Sequence, residues 1–316
     1  MQNTESIKKS SASKMPSTSE MSRKLLFIVN PNAGKRVSDH IIETIRKEFP
    51  QNIYFQIVIW KDKDHFDEIT NLLTTQGYTD AIAVGGDGTV NHVAKTILNT
   101  GIKLGIVPIG SGNGLARSLG LSTKIEEVVK QLAEGRTATI DSGVVNKIPF
   151  FCTSGIGFDA HIGNLFATSV KRGLQSYVKI TIRELFKYRA KEYTLTFNGQ
   201  TITRKAFLIT VANAGQYGND FYIAPQASMQ DGRFHVVILK PFNPFHLPLL
   251  MTKILSRKAH LSSRIETYVT DKITITRKDS DTIHFDGEPA VEGKEVVFEN
   301  KAASLNVIVG AKFKAV

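Results

Sequence analysis

Between Ala81 and Leu119 the chain passes twice from a strand-like run, through a glycine-rich loop, into a helix-like run. The first passage reads Ala81-Ile82-Ala83-Val84, then Gly85-Gly86-Asp87-Gly88-Thr89, then a helical pattern with Val90, Val93, Ala94, Ile97 and Leu98 on one face. The second reads Gly105-Ile106-Val107-Pro108-Ile109, then Gly110-Ser111-Gly112-Asn113-Gly114, then Leu115-Ala116-Arg117-Ser118-Leu119. Short β-branched runs closed by glycine predict buried parallel strands, and apolar residues at i, i+3, i+4 and i+7 predict helices packed on them. Each loop opens a helix, where unpaired backbone N–H groups favour an anion. Together the two loops predict a nucleotide triphosphate site.

The flanking sequence supplies the rest of an α/β domain. Leu25 to Val29 is a buried strand followed by a loop over residues 30–36. Ser38 caps a helix with Ile41, Ile42, Ile45 and Phe49 inward. Ile53 to Ile59 is a second strand, and His65 to Thr75 a helix stopped by Gly77. This alternation predicts a parallel sheet covered on both faces, with ligands beyond the carboxyl ends of its strands. Residues 1–22, rich in Ser, Thr and Lys, read as a disordered tail, with Met21 an alternative start.

After Asp141 the pattern changes. Tyr193 to Phe197, Ile202 to Val211, Phe234 to Leu239, Lys272 to Thr276, Thr282 to Phe285 and Glu295 to Glu299 are strand-like, and Asn198-Gly199 signals a hairpin. Residues 23–141 are therefore expected to form the α/β domain and 142–304 a mostly antiparallel sandwich or barrel. Two insertions read as helical, Asn164 to Lys191 and Phe242 to Arg264. The first sets Phe166, Val170, Leu174, Tyr177 or Val178, and Leu185 on one side and Arg172, Lys179, Arg183 and Lys187 elsewhere. The second mixes Phe245, Leu247, Leu249, Leu250, Met251, Ile254 and Leu255 with Lys253, Arg257 and Lys258. Such helices suit an anionic membrane interface, or plain packing with a solvated basic face.

Composition narrows the setting. Forty Lys and Arg against 29 Asp and Glu give a formal charge of +11, a balance that suits an anionic partner. Cys152 is the only cysteine, which excludes an intramolecular disulfide and fits a reducing cytoplasm. No apolar run approaches the roughly 18–20 residues that span a bilayer. The expectation is a cytoplasmic protein that, if it meets a lipid, does so from the water side, at the membrane interface, with no nucleic-acid partner and a homodimer left open.

Gly85-Gly86-Asp87-Gly88-Thr89-Val90-Asn91 with Pro108-Ile109-Gly110-Ser111-Gly112-Asn113-Gly114-Leu115-Ala116 resembles the diacylglycerol kinase catalytic-domain family, which is related to sphingosine and ceramide kinases. Asn30-Pro31-Asn32-Ala33-Gly34-Lys35, Gly155-Ile156-Gly157-Phe158-Asp159-Ala160 and Asp286-Gly287-Glu288-Pro289 extend the likeness to most of the chain. The resemblance implies an NAD kinase-like ATP-binding α/β domain, a β-sandwich lipid-substrate domain and a site in the cleft between them. It also implies that the last strand, Leu305 to Val309 within residues 305–316, returns to the first domain.

The expected activity is ATP- and Mg²⁺-dependent phosphorylation of a hydroxyl on diacylglycerol or a sphingoid-type lipid. Phosphoryl transfer asks a protein chiefly for positioning and charge neutralisation. Gly85, Gly86, Gly88, Gly110 and Gly112 let backbone approach phosphate, and Asn30, Asn32, Thr89, Ser111 and Asn113 belong to the same nucleotide set. Asp87 is assigned to the metal–phosphate side and Glu288 to the proton of the reacting hydroxyl, with the reverse assignment open. Phe158 and Asp159 match a substrate segment, where Asp159 orients the head group or holds the loop. Asp231, in Gln230-Asp231-Gly232-Arg233-Phe234-His235, resembles a structural Mg²⁺ loop of some bacterial relatives. Gln230 and His235 stand where acids are usual, which counts against that second metal. His92 replaces the usual Glu after Asn91, and is as much a surface helix residue as a functional one. The rivals are an NAD kinase-like enzyme, which shares the GGDG loop, and a lipid-binding regulatory protein with a degenerate site.

Overall fold

The computed structural model describes residues 23–33, 39–168 and 174–315. The tail, the Gly34–Arg36 end of the first loop, the Ser38 cap, Val170 and Arg172 lie outside the described residues. Strands β1 (Lys24–Val29), β2 (Tyr54–Ile59), β3 (Asp80–Gly85) and β4 (Lys103–Pro108) pair in parallel in the order β2-β1-β3-β4. Helices α1 (Asp39–Glu48), α2 (Lys63–Thr75), α3 (Asp87–Ile97), α4 (Gly114–Ser118) and α5 (Ile125–Glu134) complete this half. Every residue of β3 is buried, as a strand covered on both faces requires. Asp62, which caps α2 by accepting from the His65 N–H, sets that helix two residues earlier than expected.

The second half is a sandwich. One layer holds β7 (Thr153–Gly157), β10 (Leu208–Ala212), β11 (Phe234–Leu239), β12 (Ile265–Thr270), β14 (Asp281–Phe285) and β15 (Glu288–Glu292), all antiparallel in the order β12-β11-β10-β7-β14-β15. The other holds β5 (Thr137–Val145), β6 (Ile148–Phe150), β8 (Lys191–Phe197), β9 (Gln200–Ala206), β13 (Lys272–Arg277) and β16 (Glu295–Ile308). Phe150, Tyr193, Phe234, Ile275 and Phe298 fill the space between them. On the outer face of the first layer, α6 (Phe158–Ala167), α7 (Leu174–Leu185) and α8 (Leu247–Leu255) bury a third apolar cluster.

Three expectations change. Ile202 to Val211 is two strands in different layers, split at Phe207. Its alternating half, Gln200–Ala206, covers the core with one face. The continuously buried half, Leu208–Ala212, lies between the sandwich core and the helices. The first helical insertion begins at Phe158 rather than Asn164, because Gly157 at φ +107° turns the chain directly from β7 into α6; α7 ends at Leu185. The strand-like pieces Glu295–Glu299 and Leu305–Val309 belong to one strand through Ile308. β16 pairs with β13 near its start and runs parallel to β4 at Val307, so one continuous sheet spans both halves.

A bulge between Lys301 and Leu305, with Ala303 at φ +49°, lets β16 make that passage. Buried Asp141 holds it: Oδ1 accepts from the Ala303 N–H and Oδ2 from the Gly232 N–H, both at 2.8 Å. Asp141→Ala strands both donors, so urea denaturation should show a loss of roughly 2–4 kcal/mol in unfolding free energy. A loss under about 0.5 kcal/mol, the size of an ordinary surface effect, would mean the bulge closes without it.

Candidate active site

Because β1 leads toward β2 on one side and β3 toward β4 on the other, the loops leaving β1 and β3 diverge at the carboxyl edge of the sheet. Open α/β sheets form their ligand crevice at such a point. A cleft of about 760 Å³ lies there. Asn30, Asn32 and Ala33 form one wall, Gly86, Gly88 and Thr89 the start of α3, and Phe285, Glu288 and Pro289 the wall from the sandwich. Trp60 and His92 also line it, their rings tilted together at 5.1 Å.

The N-terminus of α3 faces this space without a side-chain cap, since Gly86 occupies the cap position. Its first-turn N–H groups and the helix dipole therefore favour an anion. Buried Thr89 fixes the turn: its hydroxyl accepts from Asn30 Nδ2 at 2.9 Å, and Asn30 Oδ1 accepts from the Asn32 N–H at 2.9 Å. A Cβ on Gly88 would stand 3.0 Å from Glu288 Oε1, so glycine there admits the sandwich carboxylate to the helix start. Among the described residues that line the cleft, Glu288 is the only acid.

The second glycine loop does something other than expected. Asp87 Oδ2 accepts from the Asn113 N–H at 2.9 Å and Oδ1 from the Gly114 N–H at 2.7 Å. The anion at the start of α4 is thus the protein's own carboxylate, and one helix N-terminus rather than two remains open to a ligand. Burial pushes the Asp87 carboxyl above its usual range, while the Gly114 and Asn113 donors pull it back. The loops touch backbone to backbone: a Cβ on Gly110 would meet Gly86 Cα at 2.7 Å. Asn113, at φ +54°, closes its loop by accepting from the Gly110 N–H and donating to the Gly110 carbonyl. Gly110, Ser111, Gly112 and Asn113 are not among the described residues that line the cleft, nor is Gly85, where a Cβ would strike Thr89.

A second carboxylate joins the two halves. Asp286 accepts from Asn91 Nδ2 on α3 at 2.7 Å and from the N–H groups of Phe151, Cys152 and Thr153 at 2.8, 2.7 and 3.1 Å. Burial raises its pKa against the pull of these donors. With Gly287 it forms the two-residue turn between β14 and β15, both at positive φ, which carries Glu288. Asp286-Gly287 is therefore a hairpin turn and an interdomain fastener at once. Sequence reasoning missed Asn91, Lys95 and Trp60. Asn91 and Lys95 follow Gly88 by three and seven residues, the spacing of one helix face. The Lys95 ammonium lies 4.6 Å over the Phe285 ring, its pKa drawn down by burial and back up by Asp286 and Glu288.

The remaining predicted residues lie elsewhere. Phe158 packs in the helix-covered cluster, 4.5 Å from Phe207 and 5.4 Å from Tyr188. Asp159 Oδ2 accepts from Tyr217 Oη at 2.9 Å and Thr210 Oγ1 at 3.3 Å and lies 3.1 Å from His284 Nε2, a network that holds α6 on the sheet. Exposed Asp231 accepts from the Arg233 N–H in its own turn. Among the described residues, no three of His, Cys, Asp and Glu gather closely enough to hold a metal.

Residues 24–145 match the diacylglycerol kinase catalytic domain, and residues 153–309 the YegS C-terminal NAD kinase β-sandwich-like domain. The chain belongs to the diacylglycerol kinase catalytic-domain family. It is 28% identical over 280 residues to an uncharacterised Synechocystis sp. protein, covering 83% of this chain and 65%, or just under two thirds, of that relative. To a diacylglycerol kinase of Bacillus subtilis it is 25% identical over 272 residues, covering 83% and 88%. The fold superposes on a diacylglycerol kinase structure from Bacillus anthracis with TM-score 0.68 at 20% identity, covering 92% and 98%. It also matches an Archaeoglobus fulgidus NAD kinase in complex with ATP, with TM-score 0.52 at 13% identity, covering 91% and 94%. The family is one of lipid kinases, on a fold shared with an ATP-binding enzyme. Among the described residues, no helix is long and apolar enough to cross a membrane.

Asp87→Asn tests the fastening role directly. An amide can accept only one of the two N–H groups and turns its own donors toward the other. Unfolding free energy should fall by about 1–3 kcal/mol, read by urea denaturation. A carboxylate serving only the reacting groups would leave stability unchanged or raised.

Proposed function

We propose that this protein is an ATP-dependent lipid kinase that transfers the γ-phosphate to a hydroxyl of diacylglycerol or a sphingoid-type lipid. The observation that carries the reading is Glu288, a lone cleft acid held beside the open N-terminus of α3 by the Asn91–Asp286 fastening. The uncapped glycine turn of α3 fits a triphosphate tail, and the half-buried Trp60 ring and the exposed His92 ring offer stacking surface to a nucleobase. Mg²⁺ commonly takes one or two protein carboxylates and completes its shell with phosphate oxygens and water. Glu288 in the cleft lining and Asp87 at the first turn of α3 are the carboxylates that would hold it. When bound, ATP supplies the transferable phosphoryl group and the metal draws off its charge.

The chain's own residues then have distinct tasks. First-turn N–H groups of α3 hold phosphate oxygens, and Asn30 with Thr89 keeps that turn in place. Lys95 adds a cation on the same helix face. Glu288 accepts the proton of the lipid hydroxyl, because an alcohol scarcely ionises near neutral pH. The hydroxyl oxygen meanwhile forms the new bond to the γ-phosphorus, and the bond from that phosphorus to the bridging oxygen breaks, releasing ADP. A placed base contributes on the order of 10²–10⁴-fold. Asp159, tied to Tyr217 and His284, shapes the sandwich side rather than the reacting centre.

Purified protein incubated with labelled ATP and a panel of diacylglycerol, ceramide, sphingosine, phosphatidylglycerol and NAD should label a lipid. Glu288→Gln should lower kcat on the order of 10²–10⁴-fold while ADP affinity holds. Label on NAD, or on nothing, would overturn the reading; unchanged turnover in Glu288→Gln would remove Glu288 as the base.

A further inference from the structure

Helix α3 presents two different stripes to the cleft. On one, His92 lies against the Trp60 ring. The neighbouring stripe of Gly88, Asn91 and Lys95 faces the hairpin of the sandwich. There a Cβ on Gly88 would meet Glu288 Oε1, Asn91 donates to Asp286, and the Lys95 ammonium stands over Phe285. Lys95 therefore belongs to the wall of the acid and not to that of the stacking rings. Long side chains on a helix lean toward its N-terminus, so a lysine two turns beyond Gly88 reaches back toward the uncapped turn. Among the described residues that line the cleft it is the only Lys or Arg.

Its surroundings leave that cation short of a partner. Among the described residues, Lys24, Lys95, Lys191 and Arg257 each stand over an aromatic ring. Three of them also reach an oxygen. Lys24 donates to the Gln76 carbonyl at 2.7 Å, Lys191 pairs with Asp281 at 2.6 Å, and Arg257 donates to Tyr222 Oη at 2.6 Å. Lys95 has the Phe285 face at 4.6 Å, with no hydrogen bond or ion pair. It is half-buried all the same, and burial draws its pKa down while Asp286 and Glu288 draw it back up. A ring face is a weak partner for a partly desolvated ammonium with three donors, and a phosphate oxygen is a strong one.

We propose that Lys95 is a further catalytic residue, which leaves the Phe285 face to pair with the γ-phosphoryl group and so distinguishes ATP from ADP. The proposal rests on the lipid-kinase reading and deepens it by dividing the phosphates between two sets of donors. The first-turn N–H groups of α3 hold the inner phosphates. The transferred group has to meet the hydroxyl whose proton Glu288 takes, which puts it on the acid wall beside Lys95. As the lipid oxygen bonds to the γ-phosphorus and the bond to the bridging oxygen of ADP breaks, Lys95 keeps its proton and contributes charge alone. The phosphate then departs with the lipid, Lys95 returns to Phe285, and ADP is left on the N–H groups.

Calorimetric titration with ADP and with a non-hydrolysable ATP analogue, magnesium present in both, separates the two sets of donors. Wild-type protein should prefer the analogue. Lys95→Met, which keeps an apolar stem against Phe285, should weaken the analogue on the order of 10- to 100-fold and leave ADP unchanged. Lys95→Gln, a second neutral variant, should do the same, and Lys95→Arg should recover most of the preference because the charge remains. With labelled ATP, kcat of both neutral variants should fall on the order of 10²–10³-fold, while thermal melting shows the fold retained. Three results overturn the proposal: equal weakening of ADP and analogue in the neutral variants, no change in either, or a higher KM for the lipid as the sole effect. Each of these leaves the kinase reading in place, since labelling of the lipid panel by the wild type decides that separately.

Discussion

The site depends on a carboxylate that faces its own backbone. Asp87 places one oxygen on each of two consecutive N–H groups at the start of α4, and so ties the second glycine loop to the first. Those donors would otherwise be orphans at a helix end, and a buried carboxylate without partners would be equally costly. Each solves the other's problem. The result is a pair of loops whose backbones touch at Gly86 and Gly110, leaving the N-terminus of α3 facing the cleft.

Asp286 applies the same device at the larger scale. Four N–H donors from two elements converge on it, so α3 and the β14–β15 turn cannot separate without stranding several buried groups. The long strand β16 makes the two halves one sheet on the other side of the junction. A cleft assembled between a hydrogen-bonded fastening and a shared strand is held in register, which a group as exposed as Glu288 needs if it is to meet a reacting hydroxyl.

Much of this was legible in the sequence, for identifiable reasons. The strand–glycine–helix passages at 81–98 and 105–119 are periodic over enough residues to set both elements and their order, and Asp286-Gly287 reads directly as a tight turn. The division of labour among the acids was not legible. Asp87 next to glycines has the same local pattern whether it faces a metal or a loop twenty-six residues on, and only the fold decides between them. Periodicity also failed at Phe207, where an unbroken apolar run hides a crossing between layers, and at Gly157, whose positive φ starts a helix without a capping side chain. His92 illustrates the mixed case. It is exposed, as its place on the helix suggested, yet its ring packs against Trp60 and Phe66 on the cleft's rim.

A crystal structure with a non-hydrolysable ATP analogue and Mg²⁺ would test the central claim most directly. The account predicts phosphate oxygens on the first-turn N–H groups of α3, with Asp87 still receiving the Asn113 and Gly114 N–H groups. Asp87 released from those donors, with the phosphates seated on the loop at 110–114, would contradict it.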